Sequence, residues 1–467
     1  MRIGAPDESL TAASGVAALA EFFGRLDVVG VFDRGIGPIK HRDRGASAGQ
    51  LLIGLAQAQL LGGDSLTALD RQRADAAASV LSGVPAIPST TAVSLARRFT
   101  ARHLAGVESA TAELVGRAWA LLPAERRAKL ERAVTIDLDS TDVEVYGRDK
   151  QRVAYNYCGQ RAGRPHLATW AEAGLTTAAE LLAGNDDVRP RAAAMLVRAL
   201  AAVPDQVRAG VPDGRLRMRA DAGYFTADLA HAAVAEGCDF AIAAKRNTAM
   251  WPAYTAIGED AWQPAAGMPG AQVAAVDYAP AGWPEHTYTI VRRVRVDAEA
   301  ISADPRSRRR RSIEPGQLAL ALEGAATHAW AVSFIVTNIP THDDSSDGTR
   351  QTVVDVEAWF RRRTDIEDRI REAKLGAGLR HLPSGDATVN TVWMWAALLA
   401  GNLSVLLQAL TGLDEGGRAH AARLRHQLLC VPARLIHHAR RLTLRLPPGP
   451  QLLPKVLARL RQLPTPA

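Results

Sequence analysis

Cysteine is scarce in this chain: three in 467 residues, at positions 158, 238 and 430. No two have zinc-ligand spacing, and an odd, scattered set excludes a disulfide framework, so Cys158, Cys238 and Cys430 are expected to be reduced packing residues. A clean apolar run is missing too. The stretch from Val392 to Leu410 is interrupted by Trp, Gly and Asn and falls short of the roughly 20 apolar residues of a membrane helix. Met1 to Asp7 is polar and no basic segment leads into an apolar run, so no secretory signal is read; a soluble, intracellular protein is expected. No glycine-rich phosphate loop follows a strand, which excludes that nucleotide-binding class. No internal repeat and no clear helix-turn-helix is visible. His437, His438 and Lys245 lack partners at useful spacing and are read as structural, and Trp393 and Trp395 as core.

Lysine is also sparse, so arginine supplies most of the positive charge. Lys and Arg number 56 against 49 Asp and Glu, a net charge of +7. A basic excess favours polyanionic partners through release of their counterions. GC-rich coding produces the same Ala/Arg-rich composition, so charge alone does not decide the partner. With 47% hydrophobic residues, the chain can bury a core without staples and divides into roughly two to four domains.

Along the chain the hydrophobic period changes. Residues 1–130 read as helices: Ser14 to Phe23, Ser47 to Leu61, and Leu66 to Leu81 after a Gly62-Gly63-Asp64-Ser65 stop, then a helix capped by Ser89 or Thr90. Residues 131–247 alternate between strand and helix. Ala133 to Asp139 and Arg215 to Asp221 read as strands, Arg189 to Val203 and Ala227 to Glu236 as helices, and Phe240 to Ala244 as a buried strand. The fold class is therefore α/β. Residues 248–350 form a β-rich insertion with strands at Thr287 to Val296 and Ala329 to Thr337. A basic run, Arg306 to Arg311, lies between them, and Thr341 to Arg350 is a polar linker. Residues 351–415 hold two helices, Val353 to Lys374 and Val389 to Leu410. Residues 416–467 read as a basic helical tail.

Three acidic sites stand out. Alternation puts Asp137 and Asp139 on one strand face, with Val134, Ile136 and Leu138 on the other. Two carboxylates side by side repel unless a cation or a proton intervenes. Asp221 ends a strand and opens a glycine-containing turn, a place where α/β sheets bind ligands and where Asp also serves as a helix cap. Glu367 lies on a strongly charged helix with Arg363 one turn before it and Lys374 two turns after, all on one face. Such a helix is either a solvated face or a carboxylate flanked by phosphate-binding cations.

Arg363-x3-Glu367-x6-Lys374 resembles the R-E-K part of the Y-x2-R-x3-E-x6-K signature of one group of insertion-sequence DDE transposases, with Phe360 where that family has Tyr. Asp139-Ser140-Thr141 resembles its first acidic motif and Arg219 to Phe225 its second. Asn338 after Thr337, Gly378-Leu379, Leu382-Pro383-Ser384 and Asn402-Leu403 resemble later parts. The resemblance implies an RNase H-like catalytic core carrying a β-rich insertion, preceded by an all-helical DNA-end-binding domain and followed by C-terminal helices. It implies Asp139, Asp221 and Glu367 as a triad for two Mg2+ or Mn2+ ions, with Asp137 competing for the first place. It implies Arg363 and Lys374 on DNA phosphates; the run of Arg306, Arg308, Arg309, Arg310 and Arg311 is read either as tracking the DNA backbone or as a mobile solvated loop. The implied partners are double-stranded terminal inverted repeats and target DNA, bound by a dimer, without a membrane, in the bacterial cytosol at the nucleoid. An inactive or domesticated DNA-binding relative, a metal-dependent nuclease without strand transfer, and a basic helical scaffold are the alternatives.

Overall fold

The computed structural model describes residues 1–42, 44–245, 249–341, 351–449 and 451–464; the expected linker, apart from Thr341, lies outside them. After a two-residue strand, β1 (Leu10–Thr11), the chain is helical up to residue 130. The helices are α1 (Val16–Leu26), α2 (Val28–Ile36), α3 (Ala48–Leu60), α4 (Ala68–Ala74), α5 (Ala76–Leu81), α6 (Ser89–Ala96), α7 (Ala101–Leu121) and α8 (Ala124–Leu130). Ser47 and Gln50 close a capping box at the start of α3, and Thr100 with His103 does the same for α7. The stretch expected as one helix from Leu66 to Leu81 is two, because Asp75 leaves helical geometry and caps α5 through the Ala78 amide. Ser89 is not the cap of α6. Pro88 is, and Ser89 enters as the first helical residue with its amide donated to Asp70.

Eleven strands then form one mixed sheet. β2 (Val134–Ser140) leads through β3 (Val143–Glu144) and β4 (Ala154–Tyr155) to a long hairpin, β5 (Arg161–Trp170) and β6 (Leu175–Ala183). Helices α9 (Arg189–Ala201) and α10 (Asp205–Gly210) cross to β7 (Leu216–Ala220), and α11 (Ala227–Ala235) crosses to β8 (Asp239–Ala243). β5 is antiparallel to both β2 and β6, whereas β2, β7 and β8 run parallel in that order.

The following segment holds α12 (Met250–Thr255), β9 (Gln263–Pro264), β10 (Ala271–Val276), β11 (Tyr288–Asp297), α13 (Pro315–Leu322) and β12 (His328–Thr337). Its strands do not make a sheet of their own. β12 pairs antiparallel with β8, and β11, β10 and β9 continue outward. Thr337 and Asn338 fasten the junction: the Thr337 hydroxyl donates to the Phe240 carbonyl at 2.6 Å, and the Asn338 carboxamide oxygen accepts from the Phe240 amide at 2.8 Å.

α14 (Val353–Arg361) and α15 (Asp365–Arg371) are joined by a 3-10 turn over Arg362–Thr364, and α15 runs into a π turn over Glu372–Gly376. α16 (Ala387–Thr411) is the central helix. Asp386 caps its start, and Gly412, at φ 73°, ends it in the left-handed region. By length and a mean hydropathy of 1.5 it could cross a membrane, yet 83% of that apolar window is buried inside the protein. Trp393 and Trp395 are core. Asn402 docks α16 onto β6, giving and taking 2.8 Å hydrogen bonds with the Thr176 backbone.

Residues 416–467, expected to be helical throughout, are not. After α17 (Ala421–Leu424), β13 (Ala433–His438) and β14 (Arg441–Arg445) form a hairpin whose first strand pairs with β1. α18 (Leu452–Gln462) then buries Leu453, Val456 and Leu460 against α1 and its neighbours. Cys238 is buried and Cys430 half-buried, but Cys158 is exposed and so is not the packing residue expected.

Candidate active site

Alternation along β2 sends Val134, Ile136 and Leu138 into the core and Asp137 and Asp139 to the opposite side. The two aspartates meet different fates. Asp137 is fully buried, and both its oxygens accept from Arg219, its cross-strand neighbour on β7, at 2.7 and 2.8 Å. The same guanidinium donates to the Trp359 carbonyl and lies 4.9 Å from the Trp359 ring centroid. Asp137 therefore ties β2, β7 and α14 together, and it does not line the cleft described next.

Asp139 emerges at the end of β2. Leu138 is in register with Ala220, which sets Asp139 beside Asp221 at the ends of adjacent parallel strands, about 4.8 Å apart in backbone spacing. Asp221 accepts from the Gly223 amide through one oxygen, at 2.8 Å. Glu367 comes from the first turn of α15, with its side chain 60% exposed. Arg363 stands between the elements. Its Nη1 is 3.3 Å from Asp139 Oδ2 and its Nη2 4.0 Å from Glu367 Oε1. Burial pushes the Asp139 carboxyl up to about 6; Arg363 opposes the rise, and the charges of Asp221 and Glu367 add to it.

Asp139, Asp221, Arg363 and Glu367 line one open cleft of about 1890 Å³. Arg308, Arg309, Arg310 and Arg311 line the same cleft, as does Lys245, two residues past the end of β8. Arg292 and Arg361 also reach the cleft, but the fully buried Glu357 binds both, at 2.7 and 2.9 Å. Among the described residues no three carboxylate, imidazole or thiolate side chains stand close enough to hold a metal ion between them. A second pocket, of about 280 Å³ among the N-terminal helices, is lined by none of Asp139, Asp221, Glu367 or the cleft arginines.

Lys374 is not brought into the cleft. The 3-10 and π turns shift the helical phase, and its ammonium donates to the Asp142 carbonyl at 2.8 Å. The single face shared by Arg363, Glu367 and Lys374 holds for a regular helix only. Arg306 likewise stays off the cleft. Phe360 lines it and packs against the cluster of Ile335, Ile339 and Val356.

Sequence reasoning read Lys245 as structural, whereas it lines the cleft, and it passed over the partners of Asp137. Arg217 and Arg219 alternate with Leu216, Met218 and Ala220, so a charged strand face opposite Asp137 was visible in the period-2 pattern. It also passed over Tyr224, which is buried with a hydroxyl lacking a hydrogen-bond partner. Burial and the charges of Asp139 and Asp221 hold its pKa well above the usual value. The neighbouring His166 ring, 5.6 Å away, gives one nitrogen to Glu180 at 3.0 Å.

A cation-walled cleft with carboxylates at parallel strand ends defines a class of α/β proteins equipped to hold a polyanion against acidic groups. The particular family follows from comparison: the chain belongs to the transposase DDE domain group 1 family, whose model matches residues 2–303 and 321–465. It is thus a DNA transposase of the DDE type. No curated protein matches the chain. Among solved structures, the cryo-EM structure of the piggyBac transposase synaptic complex with hairpin DNA is similar. Identity is 9%, with 88% of this chain and 79% of that chain covered and a TM-score of 0.43.

Proposed function

We propose that this transposase cuts and joins DNA at the terminal inverted repeats of an insertion sequence, using divalent ions held by Asp139, Asp221 and Glu367. One observation carries the reading: three carboxylates far apart in sequence line a single cleft that Arg308, Arg309, Arg310 and Arg311 line as well. The sheet supports an RNase H-like core, since an antiparallel meander of β6, β5 and β2 is continued by parallel β7 and β8. In the domain layout that follows, residues 1–130 bind DNA ends, 131–247 and 351–415 form the core, 248–350 extend it, and 416–467 close against the N-terminal helices. The enzyme works on double-stranded repeats and target DNA in the bacterial cytosol, as a dimer once two ends are held.

The donor set suits Mg2+ or Mn2+, which prefer oxygen ligands, but the three carboxylates must draw together to share an ion, since as they stand they are not close enough to hold one. Among the described residues, one Asp221 oxygen accepts no hydrogen bond, and Asp139 pairs with Arg363 at 3.3 Å. When bound, the ions would supply an activated water or 3′-hydroxyl and charge neutralisation on the leaving oxygen. The protein's own part is positional. Arg308 to Arg311 hold the phosphate backbone along the cleft, and Arg363 exchanges Asp139 for a phosphate near the scissile bond, freeing the carboxylate. Phe360 seats the start of the catalytic helix against β12 and needs no hydroxyl to do so.

The test uses terminal DNA taken from the sequence flanking the gene, end-labelled, in Mn2+. Asp221→Asn is expected to bind that DNA as the parent does and to lose cleavage by at least a thousandfold. Substantial residual cleavage would remove Asp221 from the triad. Cleavage without joining of the 3′ end to a second duplex would make the protein a nuclease.

A further inference from the structure

A hydroxyl buried without a partner destabilises a fold, so each one kept in a structure calls for a reason. Tyr224 carries one beside the catalytic carboxylates. The residue is 1% exposed, and its hydroxyl has no hydrogen-bond partner among the described residues.

The backbone fixes where this ring sits. Asp221 opens the 3-10 turn Ala222–Tyr224, accepting from the Gly223 amide at 2.8 Å through its side chain and from the Tyr224 amide at 3.1 Å through its carbonyl. Asp221 and Tyr224 are thereby tied to each other. On β2, Ser140 follows Asp139 and is in register with His166 on β5, and His166 is in register with Glu180 on β6. The Tyr224 ring lies against the His166 ring, with centroids 5.6 Å apart and planes tilted by 35°. α9 packs against β2, β5, β6 and the 3-10 turn, which keeps water from both rings.

His166 does not satisfy the hydroxyl. Its Nδ1 is bonded to Glu180 at 3.0 Å, and its Nε2 is itself without a partner among the described residues, so the two rings touch without bonding. Burial first, then the charges of Asp139 and Asp221 in that order, hold the phenol in its protonated form. Tyr224 is therefore a donor placed near two carboxylates and bonded to neither. Asp139 is engaged elsewhere: one oxygen accepts from the Ser140 amide at 2.8 Å and the other pairs with Arg363 at 3.3 Å. An ion shared by Asp139, Asp221 and Glu367 requires these carboxylates to move together, and that movement takes Asp139 away from Arg363.

We propose that Tyr224 is a positioning residue for the ion site: its hydroxyl donates to the Asp139 carboxylate once that group has left Arg363, holding one oxygen so that the other faces the ion. The hydroxyl stands alone in the ion-free protein because the rearrangement that supplies its acceptor has not yet taken place. The proposal rests on the ion-binding reading above and adds the residue that keeps the carboxylate in its ion-bound position.

The experiment titrates Mn2+ into the full chain and follows the free ion by electron paramagnetic resonance. The parent is expected to bind Mn2+, and Asp221→Asn to bind it far more weakly. Tyr224→Phe removes one oxygen and keeps the ring against His166; it should weaken Mn2+ binding by about 10- to 100-fold. Its unfolding midpoint without Mn2+ should equal or exceed the parent's, because the lost hydroxyl had no bond to lose. Cleavage of labelled terminal DNA should fall at low Mn2+ and recover when Mn2+ is raised, since the variant holds the ion less well and leaves the chemistry intact. Unchanged Mn2+ affinity in Tyr224→Phe overturns the proposal and leaves the ion reading standing. A lower ion-free midpoint overturns it as well, by showing that the hydroxyl is already bonded in the free protein. A parent that binds Mn2+ no better than Asp221→Asn removes the ion site itself, and the proposal with it.

Discussion

Asp137 and Asp139 are two residues apart on one strand face, and burial pushes both carboxyls up to about 6. They bear on stability in opposite ways. Asp137 spends both oxygens on a buried guanidinium, so Asp137→Asn strands Arg219 without its counter-charge and should cost about 3–5 kcal/mol. Asp139 accepts from the Ser140 amide at 2.8 Å, has one loose contact with Arg363, and has two acidic neighbours. Its folded pKa lies above the unfolded value of about 3.9, so folding favours the protonated acid. That contribution is complete below about pH 4 and is lost as pH rises through 6, leaving the ionised group a burden of about 1–3 kcal/mol at pH 8. Asp139→Asn should therefore raise the urea midpoint at pH 8 and lose its advantage near pH 4. An Asp139→Asn variant as unstable as Asp137→Asn would make Asp139 a structural residue. The same titration has a binding consequence. A carboxyl must shed its proton to hold a cation, so Mn2+ affinity should fall about tenfold per pH unit below 6.

At the level of elements, what could be read from sequence depended on whether each strand has two different faces. β2 and β7 do, and their alternation places Asp139 and Asp221 at strand ends. β5 and β6 do not. They pack against α9, α16 and α7, so residues on both of their faces are buried, His166, Thr169 and Thr177 included, and the period-2 signal vanishes. β13 and β14 went unseen for a different reason. Their alternation is present, but the turn joining them is Ala439-Arg440, with φ of 48° and 63°. A two-residue turn with both φ positive is ordinarily Asn-Gly, and neither Ala nor Arg announces it. The two irregular turns flanking α15 were equally invisible, which is why Lys374 was placed on the wrong face. The hairpin supplies its own test. Replacing Ala439-Arg440 by Asn-Gly should relieve the left-handed strain by about 1 kcal/mol and slow amide exchange across β13 and β14. Unchanged or faster exchange there would mean that the turn is not strained.

For the whole molecule, the distribution of charge says more than its sum. The net +7 is small for 467 residues, and many arginines are already committed to carboxylates, as Arg219, Arg292, Arg293 and Arg361 are. The run from Arg308 to Arg311 is different. It forms no ion pair among the described residues, and Arg310 spends only one nitrogen, on the Ser302 and Ala303 carbonyls. Four adjacent guanidinium groups without ion partners repel one another in the free protein, and a polyanion laid along them relieves that repulsion. Counterion release then makes the binding salt-dependent, with a slope of log affinity against log salt of about −0.9 per phosphate neutralised. Replacing Arg308, Arg309, Arg310 and Arg311 by alanine should therefore flatten that slope by about 3 to 4. The thermal midpoint should stay within a degree or two, because none of the four is buried. Affinity should drop steeply at low salt and much less at high salt, where the parent has also lost its counterion advantage. A slope unchanged by removal of all four would put the DNA backbone elsewhere on the molecule and leave the carboxylate cleft without the strand it is proposed to cut.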